Sequence, residues 1–454
     1  MSVPKDPDVQ ELAAVRREGS IDAPTRHPIP WQTDGWYSED ATLAEMYRVF
    51  DICHGCRRCF NLCQSFPTLF DLIDASSTLD LEGVARTDYW KVVDQCYLCD
   101  MCYMTKCPYV PPHPWGVDFP HLMLRGKAVR YRQGQVRFRD RVITSTDAVG
   151  RAASFPLVVN FVNAALASPL VRKLLDQGLG ISADARLPPY HGSTFRKRWQ
   201  GAVDERAEPT SATRGRVAIF ATCYGNYNDP GLVEDLVAIL RHNGIGVTLA
   251  ARERCCGMPK LELGDLETVK QYKDDNIREL AGLVDAGWDI IAPVPSCVLM
   301  FKQELPLLFP DDEAVQRVRR AIFDPFEYLA LRHREGKFDT VFTARLGRIA
   351  YHVACHQRVQ NIGHKTREIL GLVPETQMEI IERCSGHDGT YAVKTEHHAD
   401  SMRIGGPVFD RIRELKPDYY MSDCPIAGTH IEHGVNDGSK VQHPLRLLRL
   451  AYGI

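Results

Sequence analysis

No glycine-rich strand–turn–helix fingerprint for a dinucleotide occurs in this chain, and no phosphate-cradling P-loop. The nearest stretch, Gly178-Leu179-Gly180, follows a helical pattern instead of a strand. Nor is there an evident nucleophile–base–orienter set, so no catalytic residue is assigned. Hydride chemistry needs a flavin or nicotinamide, which the chain does not evidently carry. Charge of one sign is also missing: 55 Lys and Arg face 58 Asp and Glu, a net charge of −3, which gives no pull toward nucleic acid. The opening residues 1–20 have no apolar core for a signal peptide, and Arg16-Arg17 runs into Glu-Gly-Ser, unlike a twin-arginine signal. The expectation is a cytoplasmic protein with reduced thiols. A long unbroken apolar run is absent too. Residues 152–171 carry no charge, but Pro156 and Pro169 interrupt them. The helix left between, 157–168, is about 18 Å long, too short for a hydrocarbon core of about 30 Å.

Cysteine is what the chain has in quantity, at fifteen residues. Eight of them form two quartets, Cys53-x2-Cys56-x2-Cys59-x3-Cys63 and Cys96-x2-Cys99-x2-Cys102-x4-Cys107-Pro108. Three thiolates at i, i+3 and i+6 wrap one face of an iron–sulfur cube, and the fourth reaches the other cube of a two-cluster ferredoxin. The implied pairing is Cys53, Cys56, Cys59 and Cys107 on one [4Fe–4S] cluster, and Cys96, Cys99, Cys102 and Cys63 on the second. A structural zinc site would use two C-x2-C pairs separated by a longer loop.

The other seven cysteines form a duplication. Cys223, Cys255-Cys256-Gly257 and Cys297 recur as Cys355, Cys384-Ser385-Gly386 and Cys424, offset by about 130 residues, which is the signature of an internal repeat. Short apolar runs at 216–221, 247–250 and 289–294 read as strands in the first copy, with helices at 229–241 and 265–285. Runs at 348–353, 377–381 and 419–422 read as strands in the second. Every cysteine group therefore follows the carboxyl end of a strand, the edge at which open α/β sheets bind ligands.

Two ferredoxin motifs followed by two CCG-type repeats resemble the iron–sulfur subunits of the heterodisulfide reductase-related family. The resemblance is most detailed to the subunits of anaerobic glycerol-3-phosphate dehydrogenase and glycolate oxidase. It rests on Cys107-Pro108-Tyr109 with Pro111-Pro112 and Asp118-Phe119-Pro120, on Ser385-Gly386 with Gly389-Thr390-Tyr391, and on His443-Pro444 with Ala451-Tyr452-Gly453. It implies an α-helical ferredoxin domain (2[4Fe–4S]) followed by two tandem α/β CCG repeats. It also implies an oxidoreductase component that passes electrons between a flavoprotein dehydrogenase and membrane quinone, without itself holding the organic substrate. Relatives in the family cleave disulfides at such sites, and some arrangements pair the subunit with a rubrerythrin-like peroxidase. Both remain alternatives.

Departures from the family pattern shape the metal expectations. Gln64 follows Cys63 where a proline would stand. Cys297 is followed by Val298-Leu299-Met300 without a further cysteine, and Ser385 and Ala427 replace two cysteines in the second copy. The first site, Cys223, Cys255, Cys256 and Cys297, keeps four thiolates and is expected to hold a further [4Fe–4S] or non-cubane cluster. The second, Cys355, Cys384 and Cys424, keeps three and suits zinc, a smaller cluster or nothing, with His387, His356 or His352 able to supply a missing ligand.

The expected domains are an irregular arm 1–38, a two-cluster domain 39–145 with a helix at 81–94, an apolar helix and linker 146–214, and repeats 215–336 and 337–454. Arg57, Arg58 and Lys106 beside the motifs either raise a cluster's potential or dock an acidic partner. Residues 125–141 hold seven basic residues and one acid. With the apolar helix they either coat a partner-facing surface or lie peripherally on the inner face of a membrane.

Overall fold

The computed structural model describes residues 19–20, 22–105, 107–199, 201 and 203–454. Half of the expected N-terminal arm, residues 1–18 and 21, and Lys106 lie outside the described residues. The chain divides into two units, the first ending at Val129 and the second beginning at Arg130.

The described part of the first unit is helical. Helix Glu39–Cys56 starts at Ser38, whose hydroxyl accepts from the Ala41 amide, and turns Met46, Val49 and Phe50 inward. Helix Ser65–Asp74 adds Phe66, Leu69, Phe70 and Ile73 to the same core. Phe66 packs on Phe119 at 4.6 Å between ring centroids, and Phe50 meets Tyr89 edge-on at 5.2 Å. The helix expected over 81–94 is broken. Leu81–Gly83 and Arg86–Asp88 are single 3-10 turns, and only Tyr89–Asp94 is α-helical. Val84 and Ala85 are extended between the turns, and this bend lets Leu81 and Val84 both reach the core.

The second unit is built on two small parallel sheets. In the first repeat β1 (Arg216–Ile219), β2 (Gly246–Leu249), β3 (Asp289–Ile291) and β4 (Ile322–Phe323) run in the order β2-β1-β3-β4. In the second, β5 (Arg348–His352), β6 (Gln377–Ile381) and β7 (Tyr419–Ser422) run β6-β5-β7. The duplication read from the cysteines is thus repeated in the strand order, with β4 lacking a counterpart. Strands β1 and β3 are nearly continuous apolar runs because helices cover both faces. The third strand ends three residues earlier than expected, since Pro295 opens helix Pro295–Leu299.

Residues 155–179 form a hairpin of two helices, Val159–Ala167 and Pro169–Leu179, with the turn at Ser168-Pro169. Its outer side is apolar: Leu157 is 87% exposed, Phe161 75%, Leu170 69% and Leu174 60%. Among the described residues, no helix is long and apolar enough to cross a membrane. The basic stretch is not the free cationic surface that its composition suggests. Arg139 is buried in a two-bond pair with Glu396 (2.8 and 2.7 Å) and donates to the Gly180 carbonyl; Arg137 also binds Glu396. Arg125 is spent on the Trp36 carbonyl at 2.7 Å. Residues 187–214, expected as a linker, hold the short helix Phe195–Arg198 and are tied to the first repeat, where Arg332 donates to the Glu208 carbonyl.

Candidate metal centres

In the first unit, the chain path brings the two quartets together crosswise. Helix Glu39–Cys56 delivers Cys53 and Cys56 on its last turn and ends at Arg57, which is left-handed (φ 47°). Cys99 is held between two left-handed residues, Leu98 (φ 54°) and Asp100 (φ 61°), in the loop before helix Met101–Thr105. Burial first, then the charges of Cys107, Cys59 and Cys56, push the Cys53 thiol well above its ordinary range. Burial, then Cys96, Cys63 and Cys59, do the same to Cys102. Cys107 therefore faces the first triad and Cys63 the second, with Cys59 near both. The amides of Tyr109 and Val110 point at the Cys107 sulfur and partly offset its burial.

An ion cluster beside the thiols holds the loop that carries Cys99. Arg26 lays its guanidinium on Asp100 (2.6 and 2.9 Å) and Asp118 (3.1 and 3.2 Å), over the Tyr103 ring. Arg57 stays 38% exposed while it pairs with Asp74 and stacks on Phe70.

In the first repeat, Cys223 opens helix Cys223–Tyr227 beyond β1, and Cys255-Cys256 lies beyond β2, where Gly257 takes φ 102°, a conformation a side chain would strain. Cys297 sits in helix Pro295–Leu299. The four thiols form a contiguous set, Cys223 against Cys255, Cys255 against Cys256, and Cys256 against Cys297. Cys255 accepts from Cys223 and Cys256 and is held well below the ordinary thiol range, chiefly by Cys223, while Cys223 and Cys256 are raised. The Asp147 carboxylate accepts the Cys255 amide at 2.6 Å, and burial lifts this carboxyl to about 6. Asn276, 1% exposed, accepts from the Arg254 amide and donates to the Cys255 carbonyl, fixing the loop from below.

In the second repeat, Cys355 follows β5, Cys384 follows β6 and Cys424 caps helix Pro425–Val435 after β7. Burial raises all three thiols, Cys384 and Cys424 to about 11, and the leading charge acting on each is the carboxylate of Asp388. His352 spends both ring nitrogens on Ser422 (3.0 Å) and the Arg383 carbonyl (3.1 Å). His356 turns toward the first repeat and meets Ser296, the neighbour of Cys297, through Nδ1 at 2.8 Å. Reciprocally Tyr224, the neighbour of Cys223, packs beside Thr429 and Cys424. His387 lies against His430 and His356, and burial holds its imidazole at about 3, neutral at physiological pH.

Whether these sites fit metal can be asked of the donors. Thiolates must be deprotonated to bind a metal, and anions buried together are costly unless a cation lies among them. Thr146 Oγ1 lies beside Cys223 and Cys255 and donates toward their sulfurs, and the buried His387 Nε2 has no hydrogen bond within the protein. The donor sets therefore suit a cationic centre. Among the described residues, no three His, Cys, Asp or Glu side chains close tightly enough round a single ion.

Thr146, Asp147, Asn276 and Asp388 were not singled out from sequence. The first three lie far from the cysteines they serve. Asp388 was visible, as a carboxylate four positions after Cys384.

A cysteine-rich domain (CCG) model matches residues 217–302 and 349–432. The chain is similar to an anaerobic glycerol-3-phosphate dehydrogenase subunit of Escherichia coli (strain K12), 29% identical over 344 residues, 74% of this chain and 83% of the relative. It is similar to a fumarate reductase (CoM/CoB) subunit of Methanothermobacter marburgensis, 29% identical over 247 residues, 52% of this chain and 46% of the relative. It also resembles lactate utilization protein A of Geobacillus kaustophilus, 24% identical over 248 residues, 52% of this chain and 97% of the relative. The chain thus carries two copies of the CCG cysteine-rich domain, one on each parallel sheet.

Proposed function

We propose that this chain is an iron–sulfur electron-transfer subunit, relaying electrons between a partner flavoprotein dehydrogenase and an acceptor such as membrane quinone. One observation carries the reading: Cys107 faces Cys53, Cys56 and Cys59 while Cys63 faces Cys96 and Cys102, the exchange of fourth ligands that a two-cluster ferredoxin uses. Relatives named as subunits of a dehydrogenase and of a reductase support it.

Bound [4Fe–4S] clusters would supply one-electron chemistry at these two positions. The residues of the chain do the rest. The first triad is presented from the end of helix Glu39–Cys56 and the turn beyond it, the second from the loop that runs into helix Met101–Thr105. The Tyr109 and Val110 amides donate toward the Cys107 sulfur, and hydrogen bonds of this kind tune reduction potential. Arg57, neutralised by Asp74, contributes less to that tuning than its place in the motif suggests.

A further cluster at Cys223, Cys255, Cys256 and Cys297 and a metal centre at Cys355, Cys384 and Cys424 belong to the same reading. Peripheral attachment to a membrane is the last part, supported by the apolar outer side of the hairpin 155–179.

The test is Cys99→Ser in the anaerobically purified protein. Iron content and partner-dependent electron transfer should fall, while the second unit keeps its circular dichroism. Undiminished electron transfer would overturn the relay.

A further inference from the structure

The two cysteine quartets of the first unit differ in what covers them. Between Cys96 and Cys102 all of the intervening residues, Tyr97, Leu98, Asp100 and Met101, are buried. Between Cys53 and Cys63 none is: Gly55, Arg58, Phe60 and Asn61 are exposed, and His54, Arg57 and Leu62 are partly so. The cause is local. The second loop is tied down by Arg26, which spans Asp100 and Asp118 over the Tyr103 ring. The first leaves the end of helix Glu39–Cys56 as two tight turns, in which the Arg57 and Cys59 carbonyls accept the Phe60 and Leu62 amides at 3.2 and 2.9 Å.

What the first loop leaves uncovered is composed like an interface. Phe60 is 57% exposed, yet its ring is stacked on buried Phe70, 6.3 Å between centroids and 13° from parallel, so it is held in place without being covered. Tyr109, beside Cys56 and Arg58, packs on Trp115 at 4.6 Å, and both rings are partly exposed. Aromatic rings and arginine are the side chains enriched where proteins meet. The charge is one-sided as well. Past Asp51 on the helix, residues 52–63 hold Arg57 and Arg58 and no carboxylate. Asp74 offsets Arg57, while Arg58 has no ion pair among the described residues.

Resting on the reading that the two quartets bind iron–sulfur clusters, we propose that electrons cross between this chain and its partner at the first quartet, and that Arg58, Phe60, Tyr109 and Trp115 form the docking surface there for a redox protein with an acidic face. An electron passing between proteins has to cross whatever separates its two sites, so the group with least protein over it is the one a partner can approach. Phe60 supplies the anchor, and carboxylates on the partner meet Arg58 and guide the encounter. The second quartet, covered by its own loop, exchanges electrons with the partner through the first.

The experiment uses the full chain, purified anaerobically, with fully reduced flavodoxin, an acidic flavoprotein, as the electron donor. Its anionic flavin hydroquinone gives up one electron and becomes the neutral semiquinone, and the chain gains that electron with no proton transferred. Phe60→Ser and Arg58→Glu should each slow this reduction about tenfold, whereas iron, acid-labile sulfide and the rate of reduction by dithionite stay as in the unaltered protein. In the reduced protein, a lanthanide chelate dissolved in the buffer should speed the spin relaxation of the paramagnetic signal that Cys56→Ser alters and spare the one that Cys99→Ser alters. Unchanged flavodoxin rates in both variants, or no reduction of the unaltered protein by flavodoxin, would overturn the docking surface. Stronger relaxation of the signal that Cys99→Ser alters would overturn the choice of the first quartet. Iron and sulfide absent from the unaltered protein would instead overturn the iron–sulfur reading on which both rest.

Discussion

Cys107 lies against Cys53 although its own motif is the other one: the third cysteine of the second quartet, Cys102, faces Cys96 and Cys63 instead. The turn that makes this exchange is short. Cys107 donates its amide to the Cys102 carbonyl at 2.9 Å, and the chain leaves through Pro108 toward the first triad. Each group of thiols therefore draws on both quartets.

The crossing gives a prediction that sequence-order pairing does not. Cys107→Ser should perturb the centre bound by Cys53, Cys56 and Cys59, and Cys63→Ser the centre bound by Cys96, Cys99 and Cys102. Paramagnetic resonance of the reduced protein reads this directly, because Cys107→Ser should leave the same signal altered as Cys56→Ser does. If Cys107→Ser instead matches Cys99→Ser, the assignment is reversed.

Arg26 is expected to be worth more to the first unit than any exposed ion pair. It is 6% exposed and bridges Asp100, 4% exposed, to Asp118. Removing one partner leaves buried charge uncompensated, and Arg26→Ala should cost about 3–5 kcal/mol near neutral pH. The pH dependence has a definite sign. Burial opposes the charge on Asp118, yet His121 and Arg26 hold its carboxyl well below the usual carboxylate range. A lowered acid stabilises the fold above its unfolded value of about 3.9, and that contribution is lost only as pH falls through the lower folded value. The difference between the unaltered protein and Arg26→Ala should therefore be largest above about pH 4 and shrink in stronger acid. A penalty in chemical unfolding that grows as pH falls would contradict this.

The hairpin 155–179 separates stability from attachment. Leu157 and Phe161 are 87% and 75% exposed, so serine at both should change folding stability by less than about 0.5 kcal/mol. Burying two such side chains in an interface is worth about 3–6 kcal/mol. Co-sedimentation with anionic vesicles should accordingly weaken by about tenfold or more. Equal sedimentation of both proteins would rule out this surface as the membrane contact.

Much of the metal-site layout was legible because cysteine spacing is a direct record of chemistry. The strands before Cys223, Cys297, Cys355 and Cys424 were legible as well, though not every end, since fully buried strands read as short apolar runs. The helix expected over 81–94 shows the limit. Its apolar positions fit a helical period, but Val84 and Ala85 are extended and divide the segment into two 3-10 turns and one short helix. The basic stretch 125–141 shows another, because composition does not say whether an arginine such as Arg139 meets solvent or a distant Glu396.

Residue type and interval alone determined that this chain holds four cysteine groups, that two of them are copies, and that each copy follows a β–α rhythm. Those features are local, and a thiolate i+3 from another stays near it in almost any compact chain. Only the tertiary structure decided which groups share a pocket: that Asp147 supports Cys255, that His352 is spent on Ser422, and that Asp388, not His387, faces the three thiols of the second site. These pairings depend on where a side chain points after the sheets and helices pack. That direction is set by contacts between residues far apart in the chain, which no local pattern encodes.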